Sequence, residues 1–269
     1  MTSQTIRIGI PGAAGRMGSM LIREIDAAPG LELAAATDLP GGEAIGRDSG
    51  LLAGTGSNNV AIAADPAALA GGDVIIDFTS PAASVAHAAI AADAGRALVV
   101  GTTGLTAADE AALAEAAKSI PLVYCANTSV GVTLLARLVE QVAAQLVEGW
   151  DIEILEAHHH HKVDAPSGTA LALGEAAARG RGVALEEVSD MVRKGQTGAR
   201  KSGDIGFAVL RGGDVTGEHS VIFFGDSERV EISHKATDRA IFARGALRAA
   251  RFAAAASPGF FDMNDVLGG

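Results

Sequence analysis

Two rhythms of apolar residues alternate along the first half of this chain. Thr5–Ile10, Leu31–Thr37 and Leu122–Ala126 are short strand-like runs, the first β-branched, and in Asp73–Phe78 and Ala97–Gly101 hydrophobic residues are almost continuous. Runs of that length and composition predict strands covered on both faces. Between them lie longer, alanine-rich stretches, Ser19–Ala28, Pro81–Gly95 and Thr106–Ser119, which predict helices, the last capped by Thr106. Strands separated by helices predict an α/β unit with a doubly wound parallel sheet.

The rhythm changes after residue 127. Thr133–Leu146 has the spacing of an amphipathic helix, Asp151–Ala157 alternates as a strand, and Ser167–Ala178 reads as a helix capped by Ser167. Ile205–Leu210, Gly217–Phe224 and Arg229–His234 then follow as three strands with no helix between them. That order predicts a second, α+β domain built on an open sheet, with an exposed face that suits assembly into an oligomer. Thr237–Ala256 is a last alanine-rich helix that returns to the first domain. The predicted division is therefore 1–127 with 239–269, and 128–238. Arg193–Asp204 is glycine-rich and basic. It reads either as a solvated surface loop or as a mobile lid whose Arg193, Lys194, Arg200 and Lys201 draw in an anion.

Composition narrows the classes. A chain of 269 residues with 48% hydrophobic and 20% charged residues builds a substantial core. A net charge of −11 argues against a nucleic-acid partner. Cys125 is the single cysteine, so no internal disulfide forms and a reducing compartment fits. Met1–Thr5 is polar and leads straight into a strand, with no apolar signal region, and no run has the length of a membrane span. A cytoplasmic protein without a membrane partner is expected.

Candidate chemistry first shows after the opening strand. Pro11-Gly12-Ala13-Ala14-Gly15-Arg16-Met17-Gly18 joins that strand to a helix, and Asp38 ends the second strand. Strand, glycine turn, helix, strand, acid is the dinucleotide-binding (Rossmann) pattern. Gly12 and Gly15 let the backbone approach a pyrophosphate, Gly18 lets the helix pack closely, and Asp38 stands where a carboxylate meets ribose hydroxyls. The spacing is G-x-x-G-x-x-G, looser than G-x-G-x-x-G, so the loop alone also fits an ordinary βα turn. Phe78-Thr79, Gly101-Thr102-Thr103 and Asn127 fall at the ends of later strands, on the edge where ligands of such sheets sit.

The second signal is Glu156-Ala157-His158-His159-His160-His161-Lys162, followed by Asp164-Ala165-Pro166-Ser167-Gly168-Thr169. Histidine exchanges protons near neutral pH, lysine brings a cation, and a helix start suits a carboxylate. Together they suit reduction or protonation of a small anion. A metal tract and plain surface histidines are the other readings. Adjacent residues on a strand point to opposite faces, which disfavours a shared metal, and none is predicted.

These residues, with Asp77-Phe78-Thr79, Gly101-Thr102-Thr103-Gly104, Gly217-Glu218-His219 and Ser233-His234-Lys235-Ala236, resemble the 4-hydroxy-tetrahydrodipicolinate (dihydrodipicolinate) reductase family over essentially the whole chain. The resemblance implies a reduced nicotinamide cofactor, a cyclic dicarboxylate substrate that loses water and is reduced to tetrahydrodipicolinate, and a homotetramer. It implies His158 as catalytic acid/base, Lys162 as proton donor, and His159, Gly168 and Thr169 as substrate contacts. It places Gly12, Ala13, Ala14, Gly15, Arg16, Met17, Asp38, Gly101, Thr102, Thr103, Cys125, Ala126, Asn127 and Thr128 along the cofactor. Three positions depart from the family pattern. Leu39 follows Asp38 where a basic residue often stands, so NADH is expected to be preferred over NADPH. Thr128 replaces a larger, often aromatic residue, and His160 replaces a frequent arginine. The alternatives are another two-domain NAD(P)-dependent dehydrogenase, or a non-catalytic sensor of nucleotide or metal.

Overall fold

The computed structural model describes residues 5–268; Met1–Gln4, part of the polar lead read above, lie outside them. In chain order the elements are β1 (Ile6–Pro11), α1 (Arg16–Ala27), β2 (Leu31–Thr37), α2 (Ser49–Ala53), β3 (Ile62–Ala63), β4 (Val74–Asp77), α3 (Pro81–Ala94), β5 (Ala97–Val100), α4 (Ala107–Ala116), β6 (Pro121–Tyr124), α5 (Val130–Gln145) and β7 (Asp151–His158). They continue as α6 (Gly168–Arg181), α7 (Leu185–Val188), β8 (Ser189–Asp190), β9 (Ile205–Arg211), β10 (Gly217–Phe224), β11 (Arg229–Ala236), α8 (Ala240–Ala253), β12 (Gly259–Phe261) and α9 (Met263–Val266). The chain divides into two units, one running to Val130 and resuming at Ala240, the other Gly131–Arg239.

The first unit is a seven-stranded sheet in the order β12-β6-β5-β4-β1-β2-β3, paired in parallel throughout. Burial on both faces explains the apolar runs: Ile8, Ile10, Val74, Ile75, Ile76, Leu98, Val99 and Val100 are all fully buried. Each such side chain contributes about 1.5–3 kcal/mol of hydrophobic stabilisation. The strand order reverses between β1 and β4, and the loops after these two strands flank that switch point. α1 begins at Arg16, three residues earlier than the sequence predicts. Gly15 takes the extended N-cap conformation, so Gly18 lies inside the helix rather than before it. β12 escaped the sequence reading because three residues after a proline carry no periodicity; it pairs along β6.

In the second unit the sheet order is β11-β10-β7-β9-β8. The three late strands are therefore not consecutive neighbours. β7 lies between β9 and β10, parallel to the first and antiparallel to the second. Its strict burial alternation explains the central place: Ile152 and Ile154 face α5 and α6 residues in one apolar cluster with Val221 and Phe223. The opposite face of β7 turns Glu153 toward the basic segment. There Arg193 forks onto Glu153 and also meets Asp190, while Arg200 binds both Asp151 and Glu153. Lys201 pairs with Asp204. Three of the four cations assigned to an anion-drawing lid are thus engaged with carboxylates of the same unit, which supports the surface-segment reading.

Candidate active site

The glycine turn of the first unit has the geometry that close ligand approach requires. Gly12 sits at φ +65°, in the left-handed region that glycine enters without penalty. A Cβ on Gly18 would stand 2.1 Å from the Gly12 carbonyl oxygen, so only glycine lets α1 pack against the turn. No side chain caps α1 and no acidic residue lies in its first turn, which keeps the positive end of the helix available to a phosphate. Asp38 accepts hydrogen bonds from the backbone N–H groups of Ala14 (2.8 Å) and Leu39 (2.8 Å), tying the end of β2 to the turn. Each carboxylate oxygen keeps a further acceptor position for a ribose hydroxyl. These features fit a dinucleotide.

The other residues assigned to that groove fall at the C-terminal ends of adjacent strands. Gly101 is pressed against the Phe78 ring, and Thr102 is buried with its hydroxyl accepting from Ser84 (2.7 Å). Beneath them Asp77 is fully buried, bound to His87 Nδ1 (2.7 Å) and accepting from the Thr79 amide (2.8 Å) and hydroxyl (2.6 Å). Thr103, Ala126, Ala14 and Arg16 are exposed. Cys125 donates to the Asn127 carbonyl (2.8 Å), and burial pushes its thiol pKa up, so it is no activated nucleophile. Thr128 is buried and donates to the Phe242 carbonyl (2.8 Å), so its hydroxyl is committed to α8.

In the second unit, the buried face of β7 changes from apolar to polar as the strand ends: Ile152 and Ile154 give way to Glu156 and His158. Residues two apart on a strand share a face. Register then adds neighbours, since His219 of β10 lies opposite Glu156 and Arg211 of β9 lies opposite His158. Glu156 is 1% exposed and its four acceptor positions are all used. Oε2 meets His158 Nδ1 (2.5 Å) and Arg211 Nη1 (2.8 Å); Oε1 accepts from Arg211 Nη2 (2.8 Å) and the Ser167 amide (3.0 Å). Burial alone would raise its pKa, but Arg211, His158 and the Ser167 amide together hold it below the ordinary carboxylate range. Glu156, His158 and His219 are close enough to hold a metal ion. With every carboxylate acceptor filled and a guanidinium alongside, the donor set does not suit a dication.

Ser167 joins this network to α6. Its hydroxyl caps the helix by accepting from Ala170 N (3.1 Å) and contacts His219 Nε2 (3.0 Å). Gly168 and Thr169 form the first turn, and among the described residues nothing outside the local helix backbone and chain neighbours lies within 4 Å of where a Gly168 Cβ would stand. The histidine run does not act as a block. His158 is buried, His159 places Nε2 3.2 Å from Arg239 Nη2, and His160 and His161 are exposed with ring centroids 3.9 Å apart. A turn from His159 to Lys162 (N to O 3.1 Å) brings Lys162 round to Asp164, with Nζ 2.8 Å from Oδ1. Sequence reasoning gave no role to Glu156, Arg211, His219 or Arg239. The i, i+2 spacing of Glu156 and His158 on a strand carried that signal; no local pattern marks Arg211 or Arg239.

Burial, reinforced by repulsion from His158 and outweighing the attraction of Glu156, pushes His219 from its usual 6.5 to about 4. His234 and Lys162 add to the depression. The unfolded chain therefore takes up a proton near pH 6.5 that the folded chain refuses until about 4. Stability is full above pH 6.5 and falls as the pH drops toward 4, by up to about 3 kcal/mol from this group. Urea titrations at stepped pH check this: His219→Asn should flatten the dependence in that window, and an unchanged slope would contradict it.

A parallel sheet with a glycine turn at its switch point, and a second unit carrying an imidazole–carboxylate pair beside a helix start, define a two-unit nicotinamide-dependent oxidoreductase. Residues 6–128 match the family described as dihydrodipicolinate reductase, N-terminus, and residues 131–267 match its C-terminus. The 4-hydroxy-tetrahydrodipicolinate reductase of Afipia carboxidovorans is 55% identical over 98% of this chain and 97% of its own. That of Ruegeria pomeroyi is 53% identical over 97% of each. A dipicolinate-bound dihydrodipicolinate reductase from Paenisporosarcina superposes with a TM-score of 0.76 at 20% identity, covering 97% of this chain and 99% of that one. The chain belongs to the dihydrodipicolinate reductase family, and its activity is the NAD(P)H-dependent reduction catalysed by 4-hydroxy-tetrahydrodipicolinate reductases in lysine and diaminopimelate biosynthesis.

Proposed function

We propose that His158 is the catalytic acid/base and Lys162 the proton donor in the reduction of a cyclic dicarboxylate, with loss of water, to tetrahydrodipicolinate. The observation that carries this reading is the buried Glu156–His158 contact set beside the Ser167-capped start of α6. Gly168 and Thr169 at that helix start hold one substrate carboxylate, where the helix dipole favours an anion. His159, next to Arg239, contacts the substrate from the other side of the turn. A relative's dipicolinate complex supports a ligand with two carboxylates on one ring.

Gly12 to Met17, Asp38, Gly101 to Thr103 and Cys125 to Thr128 would hold the dinucleotide, which when bound supplies the hydride. Lys162 stabilises the negative charge that develops on the ring and delivers the proton there. Asp164, whose pKa the Lys162 contact lowers, is the counter-ion of the waiting ammonium. A small anionic substrate and the absence, among the described residues, of any helix long and apolar enough to cross a membrane support a cytoplasmic enzyme. The open face of the second sheet exposes Leu210 (55%) and Phe224 (37%), which supports a homotetramer formed through it.

A coupled assay tests the activity. Substrate made in place by the upstream synthase should oxidise NADH, and no oxidation with either nicotinamide would overturn the reading. The same assay tests cofactor preference. Asp38 followed by exposed Leu39 offers a 2′-phosphate a carboxylate with no cation at the next position, and leaves Arg16 of the glycine turn only to offset it in part. kcat/KM should favour NADH by about tenfold or more, since each 1.4 kcal/mol of phosphate repulsion is a factor of ten. Leu39→Arg should narrow that ratio. A clear preference of the unaltered enzyme for NADPH would refute it.

A further inference from the structure

We infer that Glu156 is a positioning residue: clamped by Arg211, it fixes the working nitrogen of His158 and, through the Ser167 amide, ties that ring to the helix start that takes the substrate carboxylate. The inference rests on the roles proposed above for His158 and Gly168–Thr169.

The argument is one of donors and acceptors. An ionised carboxylate only accepts. Arg211 donates to both of its oxygens, and Ser167 N donates to Oε1. The atom facing Oε2 at 2.5 Å, His158 Nδ1, must then carry the proton. In the neutral ring Nε2 is left as the acceptor, and it is the nitrogen that can exchange a proton with substrate. Gly217 keeps that nitrogen uncovered: a Cβ there would stand 3.1 Å from His158 Nε2. Arg211 is anchored in turn, donating to the Asp164 carbonyl (2.7 Å), so the clamp also fixes the chain between the histidines and α6. One buried carboxylate thereby orients the proton-transfer group and the carboxylate pocket together, and neither can shift without the other.

Glu156→Gln separates this from a merely structural role. The amide oxygen must face Ser167 N–H and Arg211 Nη2, because both are donors. The amide NH2 then faces His158 Nδ1 and Arg211 Nη1; the guanidinium can only donate and must draw back, whereas the imidazole can turn acceptor and shift to the opposite tautomer, protonated on Nε2. In the unaltered enzyme, 15N spectra taken where the ring is neutral should show His158 protonated on Nδ1, and in Glu156→Gln on Nε2. kcat should fall about 10²-fold, the usual worth of a placed acid/base, with KM within about threefold. In a His158→Gln background the same change should cost nothing further, because Glu156 acts through that ring. An Nε2-protonated ring in the unaltered enzyme would overturn the inference, and that spectrum does not depend on the variant folding. So would a normal kcat in Glu156→Gln, or a full additional loss in the double variant. If His158→Gln itself turned over normally, the catalytic reading would fall, while the spectra would still report whether Glu156 sets the tautomer.

Discussion

Lys162→Met should lower kcat by about 10²–10³-fold while leaving NADH affinity within about threefold, a loss of roughly 3–4 kcal/mol of transition-state stabilisation. Methionine keeps most of the stem and removes only the ammonium. In the mechanism proposed above, hydride arrival leaves negative charge on the ring nitrogen and its conjugated carbon, and Lys162 is the one side chain proposed both to balance that charge and to supply the proton. The side chain is suited to this, being only 21% exposed and held in place by Asp164 at 2.8 Å. The effect belongs in kcat because the charge exists only in the transition state. His158→Gln should behave alike. Steady-state kinetics with a fluorescence titration of NADH separates the two quantities, and near-normal turnover in both variants would remove the mechanism.

Gly18→Val should weaken NADH binding by roughly 10–100-fold, because overpacking typically costs 1–3 kcal/mol and each 1.4 kcal/mol is a factor of ten. The new Cβ would meet the Gly12 oxygen at 2.1 Å and Ala13 Cα at 2.8 Å, all of it backbone that cannot rotate away. Relief comes only by moving the Gly12–Gly15 turn off its place at the end of β1. Gly15→Ala should be milder, since its nearest atom, the Gly12 oxygen, stands at 3.1 Å. Equal NADH dissociation constants for the unaltered enzyme and Gly18→Val, measured calorimetrically, would show that the turn is not where the dinucleotide binds.

The legible parts of the fold were those with strong local periodicity. β4 and β5 follow from continuous burial on both faces, and Thr106 and Ser167 cap their helices through side-chain bonds from Asp109 N and Ala170 N. What periodicity cannot carry is pairing. β7 inserts between β9 and β10, and β12 joins β6 across more than a hundred residues of chain. The site divides along the same line. His158, Lys162, Gly168 and Thr169, the proposed catalytic and substrate residues, lie in one short motif. Arg211 and His219 reach Glu156 only through strand register, and Arg239 reaches His159 across 80 positions. Residue type alone does not separate the four histidines, and only the family resemblance did; in the structure His158 is buried and bound to Glu156.

The most direct test is a crystal structure with NADH and dipicolinate bound together. The account predicts one dipicolinate carboxylate on the backbone of Gly168 and Thr169, with His158 Nε2 and Lys162 Nζ against its ring. Dipicolinate bound elsewhere, with both side chains turned to bulk water, would contradict it.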